Sequence, residues 1–192
     1  MEQPGREDAI RNQRRLLLAA RDAVAEDGLG VGVREIADRA GVGVTTLYRH
    51  FGAKDALIDA VSVNRWRTMT RIAHSGALAG APLQAVVALL ETFTRMVTAD
   101  EAFIAATGLH VGRTPIDILP VKAQFDPLFA QLWSSAQQRN MIRPRADARD
   151  AIELAGMIRS ADRRGPMLLT LLNGICTDAV DVEHLAASVL RH

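Results

Sequence analysis

The residues with the most binding chemistry fall in one short stretch of the sequence, residues 41–54. If this stretch is helical, Val42, Leu47 and Phe51 can pack into a small core. The opposite face would then carry four outward-pointing residues, Val44, Thr45, Tyr48 and Arg49. Hydroxyl groups reach phosphates and base edges, a β-branched methyl can contact a thymine methyl, and arginine pairs with guanine or phosphate. The stretch therefore predicts a nucleic-acid-binding surface.

Short helices must position these side chains. Just upstream, an apolar helical face recurs at i, i+3, i+4 and i+7, formed by Val33, Ile36, Ala37 and Ala40. Gly41 and Gly43 separate this segment from the next, and neither segment is long enough to be a stable helix alone. Two short helices joined by a glycine-containing turn are typical of a helix-turn-helix. A longer helix over residues 10–27, ended by Gly28, is predicted to precede them.

The ordered motif of residues 33–51, followed by residues 54–57 and preceded by the helix of residues 15–28, resembles the tetracycline-repressor (TetR) family of transcriptional regulators. The resemblance implies a ligand-responsive repressor that a small molecule releases from its operator DNA. Carried over by position, the DNA-binding residues are Arg34, Val44, Thr45, Thr46, Tyr48, His50 and Lys54. We expect Thr46, Tyr48, His50 and Lys54 to contact phosphates, and Arg34, Val44 and Thr45 to contact base edges.

Two positions qualify that assignment. A serine or threonine usually begins the second helix of the family, where it caps the backbone and touches a phosphate. Gly32 or Val31 stands there in this sequence, so neither that cap nor that phosphate contact is expected. His50 could cap or pack instead of contacting DNA.

The composition favours a helical fold. The 192 residues are 48% hydrophobic but only 4% aromatic, and the abundance of Ala and Leu favours helices over a β-sandwich. The formal net charge is +1, so DNA contacts must come from locally placed cations rather than from a global basic field. No uncharged apolar segment reaches the roughly 18 residues of a membrane span, and the polar N-terminus is no signal peptide. We therefore expect a cytoplasmic protein without membrane contact.

The predicted fold is all-α: an N-terminal three-helix DNA-binding domain with a helix-turn-helix, linked by a fourth helix to a larger helical ligand-binding and dimerisation domain. The first domain is placed at residues 1–54, with a mobile arm to about residue 10, and the second at residues 55–192. Break signals at residues 74–76 predict that the fourth helix ends near Ala73. Later helices are predicted to start at or beside Pro82, Asp100, Thr114, Asp126, Asp147, Asp162 and Asp181. The helix that holds Pro127 is expected to kink or restart there.

The segment of residues 167–176 is apolar on more than one face, so it must be covered on more than one side. A partner subunit is the economical cover, joined by the helix that follows Asp147. The family resemblance implies the same arrangement, a homodimer built from a four-helix bundle. If Leu168 or Leu172 faces the partner, arginine at that position should give monomers or insoluble protein.

The resemblance also implies a pocket for a small molecule of unknown identity. The larger side chains that could line it are Phe93, Met96, Phe103, His110, Phe125, Trp133 and Met157. Any one of them could equally belong to the core. A compound beside the far end of the fourth helix, near Trp66, Met69 and Ile72, could tilt that helix and carry the recognition helix with it.

Other chemistries find little support. Asp178, Asp181 and His184 could be drawn as a metal set, but they do not share one helix face across a cap at Asp181. No metal, cofactor or catalytic residue is assigned, since the sequence has no phosphate-cradling glycine loop or nucleophile elbow. The single cysteine, Cys176, lies in an apolar run and is expected to be buried and inert. Two alternatives stay open: a helical protein-interaction module and an enzyme with an unrecognised site.

Overall fold

The computed structural model of the chain describes residues 5–99 and 118–190. The regular elements of these residues are helices: α1 (Arg6–Asp27), α2 (Val33–Ala40), α3 (Val44–Phe51), α4 (Lys54–Leu78), α5 (Pro82–Ala99), α6 (Ile118–Gln138), α7 (Ala148–Gly156), α8 (Arg164–Ile175) and α9 (Val182–Leu190). No helix of the described residues combines the length and apolar character needed to cross a bilayer. The helix predicted at residues 101–109 and the predicted helix start at Thr114 lie outside the described residues, and the helix predicted to follow Thr114 is described from Ile118 as α6.

Two compact units make up the described chain, residues 5–65 and residues 66–99 with 119–190. In the first unit, α1 packs against α2 and α3. Leu16, Ala20 and Val24 of α1 form a buried stripe and share one core with Ile36 of α2 and Leu47 of α3. The predicted three-helix unit is therefore present. Our domain boundary after residue 54 remains a prediction.

Arg39 ties α2 to α1 through three carboxylates. Its guanidinium donates hydrogen bonds to Glu26 and Asp27 at the end of α1, and to Glu35 one turn earlier on α2. The hydrogen bond to Glu35 and then that to Glu26 raise the pKa of Arg39 above its ordinary value. Because the carboxylates are largely exposed, solvent screens the ion pairs. The cluster therefore orients α2 more than it adds stability.

The first helix begins earlier than predicted. α1 begins at Arg6, with Gly5 as its N-cap residue, so the prediction of a mobile arm to residue 10 is wrong for residues 6–10. Glu7 and Asp8 occupy the first turn, where negative side chains stabilise the partial positive charge of the helix start. This local charge effect extends the helix beyond its apolar stripe.

The fourth helix is longer than predicted. α4 continues to Leu78, and the chain turns at Gly80, which has a φ of 63°. The predicted break at residues 74–76 is wrong, because Gly76 serves packing rather than termination. A Cβ atom built on Gly76 would lie 2.2 Å from the Cβ of Ala85 on α5. Glycine at this position therefore allows α4 and α5 to approach closely.

Aromatic side chains run through the core of the second unit. Phe125, Phe129 and Trp133 follow one another at i, i+4 and i+8 on α6, with ring centroids 5.6 and 5.9 Å apart. Trp66 of α4 packs edge-on against Phe125 at 5.3 Å and tilts against Phe93 of α5 at 6.2 Å. These contacts hold α4, α5 and α6 together. α6 is a single helix with Pro127 inside it, so it does not restart there.

Two predicted helix caps are confirmed in the C-terminal part. The Asp147 side chain accepts hydrogen bonds from the backbone N–H groups of Arg149 and Asp150, and Asp181 accepts one from the N–H of His184. The sequence pattern predicts that the helices after Asp147 and Asp162 end near Ser160 and Val180, but they end earlier, at Gly156 and Ile175.

The early end of α8 has a tertiary cause. The Ile175 carbonyl accepts a hydrogen bond from the backbone N–H of Arg143 at 2.8 Å, and Cys176 is extended. Cys176 forms an isolated antiparallel bridge with Ile142. The loop before α7 therefore bonds to backbone groups that would otherwise continue α8 as a helix.

Candidate nucleic-acid interface

The turn between α2 and α3 sets the direction of the predicted recognition helix. Gly41 adopts a left-handed conformation with a φ of 62°, and its N–H is directed at the carbonyls of Ala37 and Asp38. The N–H of Val42 bonds the Ala37 carbonyl at 3.0 Å. A side chain at Gly41 would be strained in this conformation, so the glycine allows α2 to end and α3 to begin after only three intervening residues.

The two faces of α3 differ as the sequence predicted for all but Val44, which was expected to point outward and instead packs partly against the core. Leu47 is completely buried, and Val42, Val44 and Phe51 are partly buried against the same core. Thr45, Tyr48 and Arg49 are exposed at i, i+3 and i+4, and Tyr48 retains 47% of its accessible surface. These three residues form one continuous stripe of a phenol, a hydroxyl and a guanidinium, which we call the α3 stripe.

Arg49 was placed on the outward face from the sequence, but it is not among the DNA-binding residues assigned by position. It is exposed beside Tyr48, and its spacing of four residues from Thr45 was the signal available. Val44 is half-buried, so only part of its side chain is available to a base edge. Thr46 is also half-buried, whereas Arg34 on α2 is exposed.

Lys54 and His50 are held by the protein itself. The Lys54 ammonium donates a 2.6 Å hydrogen bond to the carbonyl of Leu29, in the segment between α1 and α2. An ammonium has three donors, so two N–H bonds of Lys54 can still reach a phosphate. The Nε2 atom of His50 is buried and has no hydrogen-bond partner among the described residues. In this conformation a phosphate cannot reach that nitrogen, which favours the packing role of His50.

The starts of α2 and α3 have glycine caps. Gly32 and Gly43 are the N-cap residues, and neither helix start has a side-chain cap within the described structure. The predicted absence of a cap at Gly32 is confirmed. Free N–H groups in the first turn of a helix, together with the helix dipole, are suited to binding a phosphate.

The predicted ligand-binding residues lie in different environments. Phe93, Met96, Phe125 and Trp133 are buried in the core, and Met157 is 67% exposed. The Trp133 ring nitrogen donates a 3.1 Å hydrogen bond to the Ala146 carbonyl, which is a structural contact. Phe103 and His110 lie outside the described residues. A groove of about 800 Å³ is present at the link between α4 and α5, and the seven predicted residues are not among its described lining.

Comparisons with known proteins place this geometry in a family. Residues 16–61 match the sequence profile of bacterial regulatory proteins of the tetR family. The HTH-type transcriptional repressor Rv3405c of Mycobacterium tuberculosis is 41% identical over 63 residues, 32% of this chain and 34% of that protein. The match thus spans about a third of the length of such curated relatives.

Solved structures extend the likeness beyond the helix-turn-helix. A gamma-butyrolactone receptor (ArpA-like protein) has the same fold, with a TM-score of 0.68 and 22% identity over 95% of this chain and 98% of its own. The TetR transcription regulatory protein from Mycobacterium vanbaalenii aligns with a TM-score of 0.71 and 30% identity, over 91% of this chain and 100% of its own. At that identity and coverage, the chain belongs to the TetR family of bacterial transcriptional regulators.

Proposed function

We propose that this chain is a ligand-responsive repressor that binds operator DNA as a homodimer through α3. The α3 stripe carries the proposal, because its hydroxyl, phenol and guanidinium groups point outward from a helix that Leu47 anchors in the core. Tyr48 and Lys54 are assigned to phosphates, Thr45 and Arg34 to base edges, and Arg49 to either. The uncapped starts of α2 and α3 supply further phosphate donors.

A homodimer is supported by the apolar surface of α7 and α8. Leu154, Met157 and Met167 are 51%, 67% and 39% exposed in the single chain, so this pair of helices offers apolar side chains that a partner subunit can cover. A symmetric dimer would present two α3 helices to successive major grooves about 34 Å apart. Two half-sites would then be read at once.

The response to a small molecule is proposed from the fold. A gamma-butyrolactone receptor shares it, and α4 supplies residues to both compact units of this chain. A ligand that binds beside the last turns of α4 can alter DNA binding by moving this helix. It must bind the DNA-free form more tightly, since equal affinity for both forms shifts no equilibrium.

The alternative of a protein-interaction module fits the α3 stripe less well. The centre of a protein–protein interface is depleted of charge and enriched in apolar and aromatic groups. The α3 stripe instead combines one aromatic group with a hydroxyl and a cation next to uncapped helix starts. That combination matches a phosphate backbone better than an apolar partner surface.

The two lysines of the chain provide a matched test of DNA binding. Duplexes selected from a random pool would be titrated with wild type, Lys54→Ala and Lys122→Ala at several salt concentrations. Loss of one phosphate contact should lower the salt slope of the binding constant by about one unit per subunit in Lys54→Ala. Lys122 lies on α6, where it pairs with Asp126, so its removal should leave the slope unchanged.

Further variants distinguish the loss of a DNA contact from a loss of fold stability and from a loss of sequence recognition. Lys54→Arg retains the cation and should restore the slope, whereas a thermal melt shows whether loss of the Leu29 contact destabilises the fold. Thr45→Ala should weaken the selected duplex more than random DNA. If no duplex is enriched from the pool, the repressor proposal fails. Equal slopes for wild type and Lys54→Ala would contradict only the phosphate role of this lysine.

A further inference from the structure

We infer that the groove at the α4–α5 link binds a small amphipathic anion, a carboxylate carried on an apolar body. The inference rests on the proposed function, because it names the chemical class of the molecule to which the repressor responds. It assigns the site to residues of which only Ile72 was named from the sequence as lying beside a ligand. The inference is supported by the charge, the shape and the fixed geometry of the groove.

The shape of the groove suits a small molecule with an apolar part. Its volume of about 800 Å³ lies within the range of about 300 to 1,000 Å³ that is common for ligand pockets. Ile72, Ala79, Ala81 and Ala85 line it with apolar atoms. Short alanine side chains leave room that larger residues would fill.

The link that forms the groove is held by two contacts. Gly76 allows α4 to lie directly against Ala85 of α5, so the two walls meet at one end. Arg139, just beyond α6, donates a 2.8 Å hydrogen bond to the carbonyl of Gly80 in the link. The groove therefore exists before a ligand binds, which reduces the entropy lost on binding.

The charge of the groove favours an anion. Arg71 and His74 line it, and its described lining residues include no Asp or Glu. The sequence between residues 60 and 90 likewise contains Arg65, Arg67 and Arg71 but no acidic residue. The chain has a net charge of only +1, so a groove that holds Arg71 and no carboxylate in its described lining is locally positive.

Arg71 is oriented for a carboxylate. Its Nη2 atom donates a 3.0 Å hydrogen bond to the Thr68 hydroxyl on the preceding turn, and it forms no ion pair with any described residue. A guanidinium has five N–H donors in a planar fork, so four stay available. Such a fork binds a carboxylate with two parallel hydrogen bonds. Ser75 and Gln84 add neutral polar groups to the groove.

Matched acids and amides provide the test. Octanoate, phenylacetate and benzoate would each be titrated into the full-length protein beside the neutral amide of the same acid. Binding would be measured by calorimetry and located by protein-observed NMR. We expect each acid to bind more tightly than its amide, by about tenfold for the best pair, because charged hydrogen bonds are stronger than neutral ones.

Arg71→Gln should abolish the preference for the acid, because the amide side chain keeps hydrogen-bonding ability without the charge. Arg67→Gln is the control, since Arg67 is exposed on the same helix but is not among the described lining residues of the groove. Equal binding of acids and amides, or an acid preference that survives Arg71→Gln, would overturn the inference. So would the absence of saturable binding by all three acids.

The readout is independent of DNA, so the two proposals can fail separately. A chain that binds octanoate through Arg71 but selects no duplex would retain the groove assignment and refute the repressor. A chain that binds DNA but none of the three acids would retain the repressor and refute the groove assignment.

Discussion

Burial controls the chemistry of Cys176, the only cysteine in the sequence. Its side chain is 1% exposed, as the apolar run around it predicted. Burial raises the pKa of the Cys176 thiol, and the nearby charge of Arg143 opposes this shift without cancelling it. Because the thiolate is the reactive form, the native thiol should be inert near neutral pH.

Alkylation with iodoacetamide at pH 8 should therefore leave Cys176 unmodified in the native protein and modify it completely in urea, as mass spectrometry would show. The raised pKa also has a consequence for stability. The native state keeps the proton to higher pH than the unfolded state, so the stability from this group is present below the unfolded pKa of about 8.5 and lost as pH rises above it. Cys176→Ala should remove that part of the pH dependence. Rapid native alkylation would contradict the prediction.

Lys54 shows what a residue type can and cannot predict. Its cationic side chain, next to the recognition helix, was sufficient to predict a phosphate contact. The hydrogen bond to Leu29, which lies 25 residues away in the sequence, depends on how α4 packs beside the α1–α2 segment. His50 is similar, because burial of its Nε2 atom follows from packing and not from residue type.

At the scale of helices, the contact between Gly76 and Ala85 can be tested directly. A methyl group at Gly76 would sit 2.2 Å from the Ala85 methyl, and overpacking of this kind costs about 1 to 3 kcal/mol. Replacing glycine by alanine within a helix returns up to about 1 kcal/mol. We therefore expect Gly76→Ala to lower the free energy of unfolding by about 1 kcal/mol or more, measured by urea denaturation.

The double variant decides whether this contact is the cause. If it is, Gly76→Ala should be neutral or stabilising in an Ala85→Gly background, giving a coupling energy of about 1 kcal/mol or more. A loss of stability that is the same in both backgrounds would show that Gly76 matters for another reason. The single variant should also narrow or distort the groove.

Helix starts marked by a capping aspartate were easier to predict than the ends of α4 and α8, and the reason is physical. A cap such as Asp147 or Asp181 acts on backbone N–H groups two or three residues away, so the information lies in the local sequence. The end of α8 depends instead on a hydrogen bond from Arg143, and the continuation of α4 depends on Ala85. Predicting such helix ends requires knowing which segment, distant in the sequence, packs beside the helix.

On the scale of the whole molecule, the sequence predicted a multi-sided apolar α8, and the chain itself covers the two leucines that were considered for a partner contact. Leu168 and Leu172 are completely buried within the single chain, so neither is exposed to a partner and arginine at either position would disrupt the subunit core. The exposed apolar side chains of this region are Leu154, Met157 and Met167. Periodicity shows that a helix has two apolar faces, but not which face the chain covers itself.

We therefore predict that these exposed residues form the dimer interface. A specific dimer interface should bury upward of about 1,000 Å² in total, and glutamate at its centre would bury an unpaired charge. Leu154→Glu is expected to raise the dimer dissociation constant by about 100-fold or more, measured by sedimentation equilibrium, without lowering the melting temperature of the monomer.

Leu78→Glu is the matched control, because Leu78 is 79% exposed at the end of α4 and is not part of the proposed interface. It should sediment as wild type does. Since two α3 helices must engage one duplex together, Leu154→Glu should also weaken binding to the selected DNA while Leu78→Glu does not. A Leu154→Glu protein that stays dimeric at nanomolar concentration would place the interface elsewhere. A wild-type chain that is monomeric at micromolar concentration would refute the dimer itself.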